Sequence, residues 1–181
     1  MLISKELVEE ILEMKLPRWD EFPNFDIYSD QLINIVEDSC KPIYIDKERI
    51  ITKSMVNNYV KLYRMPKPEK KKYGKVQIAY CLILTILKSV LTIDEIIDGI
   101  ELMSENERVE ENYDLFCDEF ERSIKEVFIP MLDYTDEYHV AELNLDRKNL
   151  GVALICKSLS YKLLIELILY ERNQGKDKIT Q

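Results

Sequence analysis

The chain has 181 residues, of which 46% are hydrophobic and 33% are charged, as is ordinary for a globular protein with a sizeable core. Its 34 acidic and 25 basic residues give a formal net charge of -9, and its 4 Gly and 6 Pro argue against a turn-rich, all-β fold. The N-terminus lacks the layout of a signal peptide, and charged residues interrupt both long apolar runs. We therefore expect a cytoplasmic protein with no membrane partner.

Helical periodicity begins at the N-terminus. Ser4 opens a short amphipathic helix, and the following segment 16–28, rich in proline and aromatic residues, predicts an irregular arm packed on the core. Ser29 is the expected cap of a second helix, which runs to about Asp38 and stops before Pro42.

A third helix is predicted to begin at the N-cap Thr52 and to include the segment KSMVNNYVKLY. Four residues at helical spacing form its apolar stripe, namely Val56, Tyr59, Val60 and Tyr63. Pro66 and Pro68 end this helix, and the segment EKKKYG predicts a short turn or at most a small hairpin.

Four more helices complete an all-α prediction. A strongly apolar helix covers about 75–91, and Thr92 with Glu95 forms a capping box for the next one. Ser104 with Glu107 repeats the box before a helix that ends at Pro130. Its expected inward residues are Tyr113, Phe116, Phe120, Ile124 and Phe128. Asp146 is the expected cap of the last helix, which runs to about Arg172.

The sequence contains no recognisable catalytic motif. The four cysteines are far apart and sit in apolar helical patterns, which favours buried thiols over a metal or redox pair. His139 is the only histidine, and the acidic loop around it suits solvation better than cation binding; its acids are Asp133, Asp136, Glu137 and Glu142. The glycines are isolated, so no phosphate loop is formed. We expect no enzyme activity, no metal and no cofactor.

One segment differs sharply from the rest of the acidic chain. Between Lys47 and Lys75, here called the basic segment, ten Lys and Arg stand against two Glu. The N-terminus of its helix favours phosphate through free N–H groups and the helix dipole. Lys53, Ser54, Asn57 and Lys61 lie on the polar face, and Asn can hydrogen-bond an adenine edge in the major groove. Lys70, Lys71 and Lys72 follow in the turn, and Tyr73 can offer its hydroxyl to a phosphate.

The stretch from MVNNYVKLY to TIDEI resembles the DNA-binding module of MerR-like winged helix-turn-helix regulators. Val56 matches the buried aliphatic residue of their recognition helix, while Asn57 stands at its usual Arg. Asn58 and Tyr59 stand at its two Tyr. Pro66 matches the proline before the wing, and Tyr73 the tyrosine after it. The Gly that usually follows the recognition helix is replaced by Tyr63, and the wing is short.

The longer stretch from YSDQL to TIDEI resembles more closely an uncharacterised bacterial family, catalogued as domain of unknown function eighteen thirty-six. The shared features are a Tyr-x-Asp-Gln start, a Met-x-Asn-Asn-Tyr-Val-Lys helix and a Pro-x-Lys-Lys-x-Tyr turn. This resemblance covers roughly residues 16–105. Its likeness to MerR-like regulators is what suggests a role in transcription.

Three regions are expected: an N-terminal helix and arm (1–28), a helix-turn-helix module with at most a small hairpin wing (29–104), and a C-terminal helical bundle (105–181). The aromatic helix 113–128 and the apolar last helix favour this bundle as a homodimer interface, either as a separate region or packed as one domain with the rest. The resemblance implies a transcription regulator that binds double-stranded DNA. The expected DNA-contacting residues are Lys53, Ser54, Asn57, Asn58, Lys61, Lys70, Lys71, Lys72 and Tyr73.

Two other interpretations remain open. A protein-interaction module would keep the helix-turn-helix shape, and its basic segment would dock on acidic helices or on an acidic partner. A small-molecule-binding protein would instead hold a ligand between its two most apolar helices. The first of these requires the polar face of the third helix to be partly covered, whereas DNA binding requires it to be exposed.

Overall fold

The computed structural model describes residues 3–45, 49–104, 108–133, 138 and 146–177. Within them the chain is helical, and the all-α prediction is confirmed. The helices are α1 (Lys5–Glu13), α2 (Ser29–Cys40), α3 (Lys53–Lys61), α4 (Lys75–Leu87), α5 (Ile93–Ser104), α6 (Val109–Phe128) and α7 (Leu150–Asp177). Short 3-10 turns lie at Trp19–Glu21, Lys41–Ile43, Ile129–Leu132 and Arg147–Asn149.

The chain forms two compact units. The central unit is Lys15–Cys117, and the terminal unit combines Met1–Met14 with Asp118–Gln181. Helix α6 contributes its first half to the central unit and its second half to the terminal unit.

Helices α2 and α4 form the middle of the central unit, with α3 packed on α2 and α5 packed on α4. Helix α4 is apolar on nearly every side, and Ile78, Cys81, Leu82 and Leu84 are fully buried. Leu32 and Val36 from α2 are equally inaccessible to solvent. This packing gives the short helix α3 a hydrophobic base, which a nine-residue helix needs because it is marginal by itself.

The irregular arm is fixed to the start of α6, also within the central unit. The Trp19 N–H donates to the carboxylate of Asp114 at 2.9 Å, and the Tyr113 hydroxyl donates to the Pro17 carbonyl at 2.8 Å. The rings of Phe22 and Tyr113 pack with their centroids 5.0 Å apart. The arm therefore packs on the core, as its composition predicts.

Several helix ends differ from the sequence predictions. Ser29 is the first residue of α2 rather than its cap; the Tyr28 N–H is satisfied by the side chain of Gln31 at 2.9 Å. Helix α4 stops at Leu87, earlier than predicted. Ser104 is the last residue of α5, and its proposed partner Glu107 lies outside the described residues.

The capping box of α5 is present as predicted. The Thr92 N–H donates to the Glu95 carboxylate at 2.8 Å, and the Glu95 N–H donates to the Thr92 hydroxyl at 3.3 Å. The Thr92 hydroxyl also donates to the Glu95 carboxylate at 2.7 Å, and this hydrogen bond, together with the one from the Thr92 N–H, lowers the pKa of Glu95. The five residues predicted to face inward from α6 are all buried.

In the terminal unit, α1 packs against the turn Ile129–Leu132. The Ser4 N–H donates to the carboxylate of Glu171 in α7 at 3.1 Å, which ties the start of α1 to α7. Lys157 of α7 is only 6% exposed, and its ammonium group bonds the carboxylate of Glu126 in α6.

All four cysteines are buried free thiols, as predicted. Burial raises the pKa of Cys40 and of Cys81 to about 12, so both remain protonated at neutral pH. His139 and most of its acidic loop lie outside the described residues. In the remainder no cluster of metal-ligand side chains is found, and no helix there is long and apolar enough to cross a membrane.

Candidate nucleic-acid interface

Helix α3 begins at the predicted cap. The Thr52 hydroxyl accepts a hydrogen bond from the Met55 N–H at 3.2 Å, which satisfies one of the free donors at the helix start. Val56 and Tyr59 are buried beneath the helix. Burial also raises the pKa of Tyr59 to about 12, so its ring is a neutral part of the core.

With its apolar side buried, α3 turns its polar side to solvent. All five residues proposed on this helix are exposed, namely Lys53, Ser54, Asn57, Asn58 and Lys61. They include two cations and two amides and no carboxylate. This composition suits a surface that approaches phosphates and reads base edges.

The basic turn has a defined and unusual backbone. Glu69 and Lys72 form an antiparallel bridge, and the Lys72 N–H donates to the Glu69 carbonyl at 2.8 Å. The two residues between them, Lys70 and Lys71, have positive φ angles of 47° and 65°. Positive φ at both central positions is the pattern of a type I′ turn, which normally selects Asn-Gly. Here it carries two exposed lysines.

The turn is held against the arm of the central unit. Tyr73 and Ile27 exchange two backbone hydrogen bonds of 2.8 and 2.9 Å in an antiparallel bridge. Both residues are buried. The lysines are thus presented from a backbone that is fixed at its base.

The start of α3 and the lysine turn that follows it both contact residues at the start of α2. The Lys72 ammonium lies 5.3 Å from the centre of the Tyr28 ring, within the range of a cation–π contact. Two residues further on, the carboxylate of Asp30 lies 3.4 Å from the Lys53 ammonium. Tyr28 and Asp30 both lie at the start of α2. The turn, which contacts Tyr28, and the first residue of α3, which contacts Asp30, are therefore neighbours in space.

Tyr73 does not belong to this surface. It was proposed to offer its hydroxyl to a phosphate, but its side chain is only 5% exposed. Burial raises the pKa of its hydroxyl. Since its backbone also bridges to Ile27, we assign Tyr73 to the base of the turn.

Two other cations of the basic segment have partners within the central unit. Arg64 forms an ion pair with Asp94 at the start of α5. Lys75 donates to the Trp19 carbonyl at 3.0 Å. These two residues tie α3 and α4 to their neighbours and lie outside the candidate interface, which we define as the exposed face of α3 and the Lys70–Lys71 turn.

Tyr63 is exposed in a way that periodicity did not predict. It was assigned to the apolar stripe of α3, but the helix ends at Lys61 and Tyr63 is 92% exposed. Its φ of 56° lies in the left-handed region, where the side chain no longer follows the helical spacing. The one sequence signal that could have indicated this is the resemblance described above, in which Tyr63 stands where glycine is usual.

The family model described as "Domain of unknown function (DUF1836)" matches residues 17–119. The chain belongs to this family. The matched DUF1836 region nearly coincides with the central unit Lys15–Cys117, so the family domain is a compact structural unit that includes the arm, α2 to α5 and the start of α6. No curated protein and no solved structure gave a match.

Proposed function

We propose that the chain is a DNA-binding transcription regulator of the MerR-like helix-turn-helix type. In this proposal α3 is the recognition helix, and the Lys70–Lys71 turn serves as a short wing that grips a neighbouring phosphate. The observation that carries the proposal is the meeting of the exposed Lys and Asn face of α3 with the basic turn at the start of α2.

Each part has a distinct task. Lys53, Lys61, Lys70 and Lys71 neutralise phosphates and supply affinity that depends on salt but not on sequence. Asn57 and Asn58 are placed to hydrogen-bond base edges, which supplies sequence preference. The strongly acidic remainder of the chain orients the encounter by repelling DNA elsewhere.

The proposal includes a homodimer in the cytoplasm. Helix-turn-helix proteins usually read two half-sites related by the symmetry of a dimer. Helices α6 and α7 are the proposed source of the dimer contact, since α7 exposes the apolar side chains Leu154, Ile165 and Leu169.

The test is a fluorescence-anisotropy titration of a random-sequence duplex from about 50 to 200 mM salt. Engagement of five to eight phosphates gives a slope of about -4 to -7 for log affinity against log salt. Replacing Lys70, Lys71 and Lys72 together by Ala should weaken binding and make the slope shallower by about 2.

A matched control removes three exposed lysines outside the basic segment, with Lys5, Lys15 and Lys125 replaced by Ala. It changes the net charge equally and should leave the slope within about 0.5 of the parent value. If the two triple variants change the salt slope equally, the turn contributes to binding only through the net charge of the chain. Asn57→Ala, tested on a selected operator, should relax sequence preference with little change in salt slope.

The alternative is a protein-interaction module. Carboxylates that already pair with the basic segment support it, Asp30 with Lys53 and Asp94 with Arg64, whereas the exposure of the polar face of α3 counts against it. Absence of duplex binding at 50 mM salt would support an acidic protein partner in place of DNA.

A further inference from the structure

The end of α3 contains an aromatic side chain that the fold does not use. The Tyr63 N–H donates to the Val60 carbonyl at 3.2 Å, and the Arg64 N–H donates to the Tyr59 carbonyl at 2.7 Å. This pair of hydrogen bonds is the Schellman ending of a helix, and it places Tyr63 at the left-handed position that normally selects glycine.

Tyrosine is a costly choice at this position. Its Cβ crowds the backbone when φ is positive, and the φ of Tyr63 is 56°. The fold gains little in return, because the side chain is 92% exposed and makes no hydrogen bond, ion pair or ring contact with any described residue.

In the described part of the chain, exposed non-glycine residues with positive φ are found close together. Tyr63, Lys70 and Lys71 are the non-glycine residues with positive φ in the described part of the chain. All three are exposed and lie within nine positions of one another. Backbone strain of this kind tends to cluster at functional sites, where the side chain serves a purpose outside the fold.

We propose that Tyr63 is a DNA-contacting residue whose ring packs against a deoxyribose or a base at the edge of the groove entered by α3. The inference rests on the proposed function and deepens it. Tyr63 directly follows the exposed face of α3, and its neighbour Leu62 is also exposed, so the pair presents an uncharged, apolar contact beside the lysines. Such a contact adds affinity through stacking and packing, without releasing counterions.

The test compares Tyr63→Gly with Tyr63→Phe in the full chain. Tyr63→Gly relieves the strain, so its melting temperature should rise by about 2–4 °C. The same variant loses the ring, so its affinity for a duplex at 50 mM salt should fall about tenfold with an unchanged salt slope. Tyr63→Phe keeps the ring and should bind within about twofold of the parent protein.

Leu102→Ala is the control, because it removes another highly exposed apolar side chain, on α5, and should leave affinity unchanged. If the parent protein binds DNA and Tyr63→Gly binds equally well, the inference is overturned while the proposed function stands. If the parent protein does not bind duplex DNA at 50 mM salt, both fail. A lower melting temperature for Tyr63→Gly would also overturn the inference, because it would show that the ring stabilises the fold.

Discussion

The basic segment of the central unit and the ion network of the terminal unit use lysine in opposite ways. Lys157 is buried and held by Glu126, which also pairs with Arg122; Arg122 in turn pairs with Glu119. Lys70 and Lys71 are exposed, without an ion pair to any described residue, on a backbone that disfavours them. The first arrangement is explained by the fold. The second arrangement is not explained by the fold, and we therefore infer that these two lysines bind a ligand.

The largest effect on stability is expected at Glu126. Glu126→Ala leaves the buried Lys157 ammonium without its carboxylate, and we expect a loss of about 3 kcal/mol in the free energy of unfolding. Lys157→Met should cost less, because it removes the buried charge while Glu126 keeps Arg122. Urea denaturation of both variants measures the difference.

Glu166→Ala is the matched control, since it breaks the more exposed pair with Lys162 on α7 and should cost less than about 0.5 kcal/mol. A similar loss in both Glu variants would mean that burial of Lys157 has no special role.

The Glu126 pair also predicts a pH dependence. Burial acts to raise the pKa of Glu126, but the hydrogen bond and charge of Lys157, together with Arg122, lower it overall. A carboxylate with a lowered folded pKa stabilises the protein above its unfolded pKa of about 4.3, and this contribution is lost as pH falls through the folded value. The stability difference between the parent protein and Glu126→Gln should therefore shrink below about pH 4.

The second prediction concerns the Lys70–Lys71 turn. Replacing Lys70 by Asn and Lys71 by Gly supplies the residues that a type I′ turn selects, and we expect a gain of about 1 kcal/mol in the free energy of unfolding. If the proposed function holds, the same double variant should bind duplex DNA more weakly, because the proposed interface loses two positive charges. Thermal unfolding and anisotropy on one preparation measure both effects.

Lys70→Ala with Lys71→Ala is the control for this turn, because it removes the charges and keeps side chains that positive φ disfavours. This control should lose as much affinity for duplex DNA as the Asn-Gly variant does, but its free energy of unfolding should rise little. If the Asn-Gly variant is destabilised, the lysines at this turn serve the fold, and the contrast with Lys157 disappears.

The parts of the fold set by local chemistry were predictable. Thr52 and the Thr92–Glu95 pair were recognised as caps because a cap is defined by residues three positions apart. The exposed face of α3 followed from helical spacing, and the basic segment followed from charge alone. Membership of the DUF1836 family was visible in the short motifs around Asn57 and Tyr73.

The parts of the fold that depend on pairing with a distant segment, or on how a helix ends, were not predictable. Tyr73 is buried and its backbone pairs with Ile27, and no residue within the turn indicates a partner so distant in the sequence. Tyr63 falls at helical spacing from Tyr59, so periodicity placed it in the core. Only the hydrogen bonds that end α3 at Lys61 turn its side chain to solvent.

The smallest effect is expected at Asp30. Its carboxylate lies 3.4 Å from the Lys53 ammonium, and both side chains are largely exposed, so the pair contributes little to stability. It does, however, place a negative charge beside the proposed DNA surface. Asp30→Asn should therefore raise duplex affinity about two- to threefold at 50 mM salt, with a smaller gain at 200 mM, where charges are screened more strongly.

Glu9→Gln provides the comparison for Asp30, because Glu9 forms a similarly exposed pair with Lys5 on α1. The two substitutions change net charge equally, so a gain confined to Asp30→Asn would localise the DNA surface to the start of α2. An equal gain in both would reflect overall charge. A loss of affinity in Asp30→Asn would mean that the carboxylate positions Lys53 for a phosphate, and Lys53→Ala should then weaken binding less in the absence of Asp30 than in its presence.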